Sequence, residues 1–194
     1  MIQESTILFV VSNYHLFFLF LLSHTAVMYR LLTMEITEMG NLTTDYDNHM
    51  QKRLCNIIKR HQLILGTIRQ LRSLYSKPLG IDFFSNALCI CLVQFVPVEE
   101  YPKFVFVLLY CLTLFFLYCL LCQMLTNESE KFGVAVYCCG WERVNLKEKK
   151  MIFEVLRQAQ KPVVLLAADF VPVNLYTFAS TCQIIYKFVT VMKF

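Results

Sequence analysis

The sequence predicts an all-α membrane protein with four transmembrane helices and two long cytoplasmic helical segments. Three observations carry that prediction. Hydrophobic residues make up 57% of the 194 positions and charged residues only 16%, a balance that soluble domains of this size rarely show. Apolar runs near 20 residues recur along the chain, the length that crosses a hydrocarbon core as a helix. Lysine and arginine are concentrated in two blocks between those runs.

The first predicted span covers residues 7–32. Ser12, Asn13 and His15 interrupt it, so Leu16 to Leu32 is its stronger part. The residues before it include Glu4 but no Lys or Arg, which argues against a cleaved secretory leader. Residues 33–80 form the first cytoplasmic loop. Within it Leu54, Ile57, Ile58, His61, Ile64, Leu65, Ile68, Leu71 and Tyr75 recur at three and four residues, the signature of a long amphipathic helix. The second span covers residues 81–98, and its apolar run, Phe83 to Val98, is flanked by Asp82 and Glu99. The third covers residues 104–126 and has no charged residue in its apolar run.

Residues 127–162 form the second cytoplasmic block. Asn145 with Glu148 three positions later predicts a capping box, and Ile152, Val155, Leu156 and Ala159 follow on one helical face. Lys161-Pro162 ends that helix, since proline disfavours helix in the residue before it. Residues 163–194 hold the fourth span. Asp169, Pro172 and Asn174 sit early in it, and a mid-bilayer carboxylate costs about 2.5 kcal/mol or more. The crossing is therefore placed after Pro172, from Val173 to Met192, with Pro172 at the helix start.

Seven Lys and Arg lie in residues 33–80 (Lys52, Arg53, Lys59, Arg60, Arg69, Arg72, Lys77), and seven more in residues 126–162. The link between the second and third spans has only Lys103. The positive-inside rule puts both long loops in the cytoplasm and both ends of this chain outside. The sequons at Asn41 and Asn127 then face the cytoplasm.

On the last span Tyr176, Ser180, Gln183, Lys187 and Thr190 are spaced four, three, four and three. At 100° per residue they occupy a sector of about 80°. Such a stripe lines water or bonds to neighbouring helices, and spacing does not choose between the two. Six of the nine cysteines lie in apolar runs, where a free thiol packs as a small hydrophobe. No spacing suits a metal, no Ser-His-Asp set or phosphate-cradling glycine loop occurs, and no cofactor is predicted. The chain is not predicted to be an enzyme. The basic blocks alternate with glutamate beside membrane spans, which argues for solvated loop faces and against nucleic acid.

Particular stretches resemble a known family. Glu128-Ser129, Ala135-x-Tyr137, Trp141, Arg157-Gln158-Ala159-Gln160-Lys161-Pro162, Phe170, Leu175-x-Thr177-Phe178, Tyr186 and Thr190 resemble the C-terminal end of insect odorant receptors. Upstream, IIKRHQLILGTIRQL followed by FFSNALCICLVQF resembles that family's loop and fifth span. The resemblance implies the last four of seven helices, with residues 7–32, 81–98, 104–126 and 163–194 as helices four to seven. It implies a subunit of an odorant-gated, non-selective cation channel that detects volatile small molecules in sensory neurons, embedded in plasma-membrane lipid. Its partner would be a coreceptor subunit in a heterotetramer. The cytoplasmic helices would form an intersubunit anchor, and the last helix would line the pore through Tyr176, Ser180, Gln183, Lys187, Thr190 and Val191, the last at the hydrophobic gate. The family's odorant pocket uses helices two, three, four and six. Tyr14, Phe17, Phe18, Leu21 and Tyr29 in the first span, and Phe106, Tyr110 and Phe115 in the third, would line what this chain contributes. Each of these eight also suits plain packing. Lys187 departs from the family, which has small polar residues there; a pore-facing cation opposes cation flow.

Two alternatives remain at this level. A gustatory-type receptor of the same superfamily would end in a Thr-Tyr…Gln-Phe motif, whereas Ile185-Tyr186-Lys187-Phe188 here carries none. A membrane remnant without ligand would neither assemble nor conduct.

Overall fold

The computed structural model describes residues 2–41, 49–93 and 95–192. Three long helices come first: α1 (Ile2–Asn41), α2 (His49–Val93) and α3 (Tyr101–Tyr137), of 40, 45 and 37 residues. A short helix α4 (Leu146–Ala159) follows, then a two-stranded antiparallel hairpin, β1 (Leu166–Ala167) and β2 (Val171–Pro172), and finally α5 (Leu175–Met192). Stretches of α1, α2 and α3 are each long and apolar enough to cross a membrane. At 1.5 Å per residue each of these helices runs well past the roughly 30 Å of hydrocarbon.

Loop and span are therefore continuous. The amphipathic helix expected in residues 33–80 and the span expected over residues 81–98 are one rod, α2, which passes through Pro78 unbroken. A proline removes one backbone donor and crowds the turn before it; α2 absorbs that in a single turn of a long helix. The third span likewise continues into the second cytoplasmic block as α3. The last segment starts later than Val173: Pro172 belongs to β2, paired with Leu166, and the helix opens at Leu175. The sequon at Asn41 runs into residues 42–48, which lie outside the described residues.

The chain divides into two compact units. The first comprises Met1–Gln70 and Met124–Val163. The predicted stripe of α2 is its buried face there, with Leu54, Ile57, His61, Ile64 and Ile68 all nearly inaccessible. His61 lies against Phe132 with ring centroids 4.8 Å apart and against Tyr29 at 6.1 Å, and Tyr29 meets Phe132 at 6.0 Å. Each of these offset or edge contacts adds to the burial itself. Arg60 of α2 is bonded to Glu35 of α1. Helix α4 opens as predicted: the Asn145 N–H donates to the Glu148 carboxylate at 3.1 Å, and Ile152, Val155 and Ala159 turn inward.

The second unit comprises Leu71–Gln123 and Val164–Phe194. Its centre is aromatic. Phe115 of α3 packs edge-on to Phe83 of α2 at 4.6 Å and against Phe178 of α5 at 5.1 Å. Phe116 adds a contact to Phe178 at 5.5 Å, and Phe95 meets Phe188 at 6.3 Å. These contacts seat α5 by one face.

Candidate functional site

Helix α5 has two faces, and the division follows the sequence pattern. Phe178, Thr181, Cys182, Ile185 and Val189 are buried or half-buried, on the side of the aromatic centre. Tyr176, Gln183, Lys187, Thr190 and Val191 are exposed on the other side, with Tyr176 79% and Val191 74% accessible; Ser180 is half-buried between the two faces. The Thr190 hydroxyl donates to the Tyr186 carbonyl at 2.8 Å. The hydrophilic edge is uncovered among the described residues, and Ile184, Tyr186 and Phe188 are exposed beside it.

The start of α5 is fixed locally. Asn174 caps the helix, its Oδ1 accepting the Thr177 N–H at 2.8 Å. The Thr177 hydroxyl donates to the Pro172 carbonyl at 2.6 Å. These bonds tie the first turn of α5 to the second strand of the hairpin. The hairpin turns at Ala168 (φ 51°) and Asp169 (φ 66°), two consecutive left-handed residues closed by a bond from the Phe170 N–H to the Ala167 carbonyl at 3.3 Å. Two left-handed residues in succession give the φ pattern of a type I′ turn, here within a three-residue loop, since Ala167 pairs with Val171. Its second left-handed position is one that Asp tolerates through local bonding.

The turn is moored to α2. Ser76 makes three hydrogen bonds to it: its hydroxyl donates to Asp169 Oδ1 at 2.6 Å, its Oγ accepts the Asp169 N–H at 2.9 Å, and its carbonyl accepts the Ala168 N–H at 2.8 Å. One turn earlier on α2, Arg72 Nη2 donates to the Val164 carbonyl at 2.5 Å. One turn later, Gly80 leaves the space that the turn occupies. The three residues that sit awkwardly in an apolar segment thus have separate tasks: Asp169 closes the turn and bonds to Ser76, Pro172 ends the hairpin, and Asn174 starts the helix. Sequence reasoning missed Arg72 and Ser76. The available signal was the interruption of the apolar stripe of α2 by Arg72, Ser76 and Gly80, each four residues apart.

The eight aromatic and aliphatic candidates for a ligand pocket divide between the two units. Tyr14, Phe17, Phe18, Leu21 and Tyr29 belong to the first unit, and Phe106, Tyr110 and Phe115 to the second. Phe18, Tyr29 and Phe115 are fully buried packing residues. Phe17, Phe106 and Tyr110 are exposed, and Tyr14 and Leu21 are half-buried. Three clefts are lined by other residues. One, of about 370 Å³, lies on the first unit between Tyr137, Trp141, Lys149, Ile152, Phe153 and Leu156. Another, of about 230 Å³, is bounded by His61, Met151 and Glu154. The third, of about 240 Å³, lies in the second unit between Ile90, Leu112, Cys182, Ile185, Tyr186 and Val189.

Comparison with known proteins adds to this geometry. The family model described as "7tm Odorant receptor" matches residues 5–186. Among curated relatives, odorant receptor 85b of Drosophila melanogaster is 26% identical over 145 residues, which cover 72% of this chain and 37% of that protein. Odorant receptor 22b of the same species is 22% identical over 147 residues, or 73% and 37% of the two chains. The chain therefore spans little more than a third of the length of these relatives. Among solved structures, the olfactory receptor OR5 of Machilis hrabei in complex with eugenol superposes with a TM-score of 0.80 at 23% identity, over 92% of this chain and 46% of that one. That likeness shows a shared fold. A single family accounts for all of these matches.

Proposed function

From the premise that the chain belongs to the 7tm odorant receptor family and is a multi-pass membrane protein, we propose that it is part of an odorant-gated, non-selective cation channel subunit that detects volatile small molecules in sensory neurons. The observation that carries this proposal is the two-faced α5, packed on its aromatic side and bare along Tyr176, Gln183, Lys187 and Thr190. A polar stripe left open on a membrane helix is costly against lipid, and a water-filled conduit shared by several subunits removes that cost. Ser180 and Val191 flank the stripe, with Val191 as the apolar constriction. The subunit resides in the plasma membrane with both long loops cytoplasmic and its C-terminus outside, an orientation that the distribution of lysine and arginine supports.

The 370 Å³ groove beside Trp141 and Phe153 is the surface through which the cytoplasmic helices meet a neighbouring subunit. Exposed Leu146, Phe153 and Trp141 at one place suit burial by a partner. The partner is a coreceptor subunit of the same architecture in a heterotetramer. Odorant binds an apolar pocket between helices and favours the open conformer. The candidates for ligand contact are Tyr14, Phe17, Phe18, Leu21 and Tyr29 in the first unit and, separately, Phe106, Tyr110 and Phe115 in the second.

The test is electrical. Full-length protein carrying this sequence is co-expressed with a coreceptor and challenged with a panel of volatiles. Currents carried by several cations, present only with both subunits, are expected. Assembled, surface-delivered protein that never conducts would overturn the channel, and protein that neither assembles nor conducts would leave a membrane remnant as the answer.

A further inference from the structure

We propose that Ser76 is a positioning residue for the terminal helix: by mooring the Ala168–Asp169 turn to α2 it sets where α5 begins and hence how readily the channel opens. The inference rests on the receptor function proposed above and deepens it.

The chain passes between the two units three times, and the routes differ. At residues 70–71 and 123–124 it stays inside continuous helices, α2 and α3. At residues 163–164 it is extended, with no helical ladder to hold it. Side chains supply the missing bonds. In the first unit Val163 is held at both backbone groups by α3: its N–H donates to the Ser129 Oγ at 3.0 Å, and its carbonyl accepts from the Thr126 hydroxyl at 2.8 Å. In the second, Val164 is held by Arg72 and the turn beyond it by Ser76. From the turn the path to α5 is short and fully bonded, through the Val173 N–H to the Leu165 carbonyl at 3.0 Å, the Asn174 cap and the Thr177–Pro172 bond.

Ser76 is the point of this path that carries most. It is 4% exposed and it alone makes three bonds to the turn, using its hydroxyl as donor and acceptor and its carbonyl as acceptor. The turn it holds contains Ala168 at φ 51°, a conformation that a residue with a Cβ leaves when released. Loss of the Ser76 hydroxyl frees the Asp169 N–H and carboxylate together, so the turn relaxes and the first turn of α5 moves with it.

Two measurements test this on the full-length protein. Hydrogen exchange in lipid nanodiscs follows the amides of residues 164–178. Ser76→Ala is expected to speed their exchange by about tenfold while α2 beyond Gly80 is unchanged, and Ser76→Thr, which keeps the hydroxyl, is expected to restore protection. With the coreceptor, Ser76→Ala and Asp169→Ala are each expected to shift the odorant concentration for half-maximal current by about threefold or more at unchanged surface amount. The double variant is expected to match either single one, as two members of one contact should. Unchanged exchange in Ser76→Ala would overturn the mooring. Faster exchange with an unmoved dose–response curve, or single effects that multiply, would overturn its role in opening. The exchange effect in Ser76→Ala, together with a wild-type protein that passes no current to any volatile, would overturn the receptor function and leave the mooring standing.

Discussion

Gly80 of α2 and Ala168 of the hairpin turn meet where there is no room for a second side chain: a Cβ built on Gly80 lies 2.6 Å from the Ala168 Cβ and 2.9 Å from its amide nitrogen. The glycine is required by proximity, since α2 there is ordinary helix. Gly80→Ala is expected to destabilise the protein by about 1–3 kcal/mol, as overpacking does, seen as a lower unfolding temperature in detergent. Ala168→Gly in that background should recover part of the loss, because it removes the nearer atom and relieves a left-handed alanine together. A Gly80→Ala protein as stable as the parent would contradict the close approach.

His61 stands in the arginine- and lysine-rich half of α2, ahead of the span, packed on Phe132 and Tyr29. Burial disfavours its charged form and pushes its pKa down from 6.5 to about 4. In the folded state it binds fewer protons than in the unfolded state across that interval. Its contribution to stability is therefore complete above pH 6.5 and is lost as the pH falls toward about 4. His61→Phe, which keeps the aromatic packing, is expected to remove this part of the acid sensitivity of the unfolding temperature. A variant that loses stability with acid as steeply as the parent would show that His61 does not titrate this way.

Phe115 and Phe106 lie on the same helix with opposite exposure, 0% and 80%. Phe115→Ala removes the ring that joins Phe83 to Phe178 and is expected to cost about 3–5 kcal/mol. Phe106→Ala is expected to change stability by less than about 0.5 kcal/mol. Thermal unfolding of the two proteins side by side checks this. In the conducting receptor Phe106→Ala is the variant that should alter odorant preference with folding intact.

Much of this architecture was legible from the residues alone. The apolar stripe of α2 and the polar stripe of α5 are single-face repeats, so periodicity found both. The box at Asn145 and Glu148 is local and was equally visible. The hairpin was not. Strands of two residues have no period, and Ala-Asp lacks the Asn-Gly signature of a type I′ turn. Asn174 ahead of an apolar run was a usable capping signal that Pro172 masked. The bonds between Ser76 and Asp169 join positions 93 residues apart and belong to tertiary structure. The pocket candidates were read from aromatic residues, which on membrane helices serve packing and binding alike, and sequence pattern does not separate the two.

Lys187 is exposed on the bare edge of α5. In a cation channel its charge opposes the permeant ion by about 0.5 kcal/mol at about 8 Å in a water-like medium. Lys187→Gln is expected to raise single-channel conductance about twofold in the assembled receptor, and less at high salt. Equal conductance at low ionic strength would place the lysine away from the ion path.

The most direct test concerns the outward edge of α5. Cysteines introduced one at a time at Gln183, Lys187 and Thr190 of the full-length receptor, assembled with its coreceptor, are treated with charged, water-soluble thiol reagents during odorant application. Modification at these positions with a change in current is expected, while cysteines at Phe178 and Ile185 stay protected. Inert cysteines along the polar edge, with reactive ones on the aromatic side, would contradict a terminal helix that turns its hydrophilic face to a shared aqueous path.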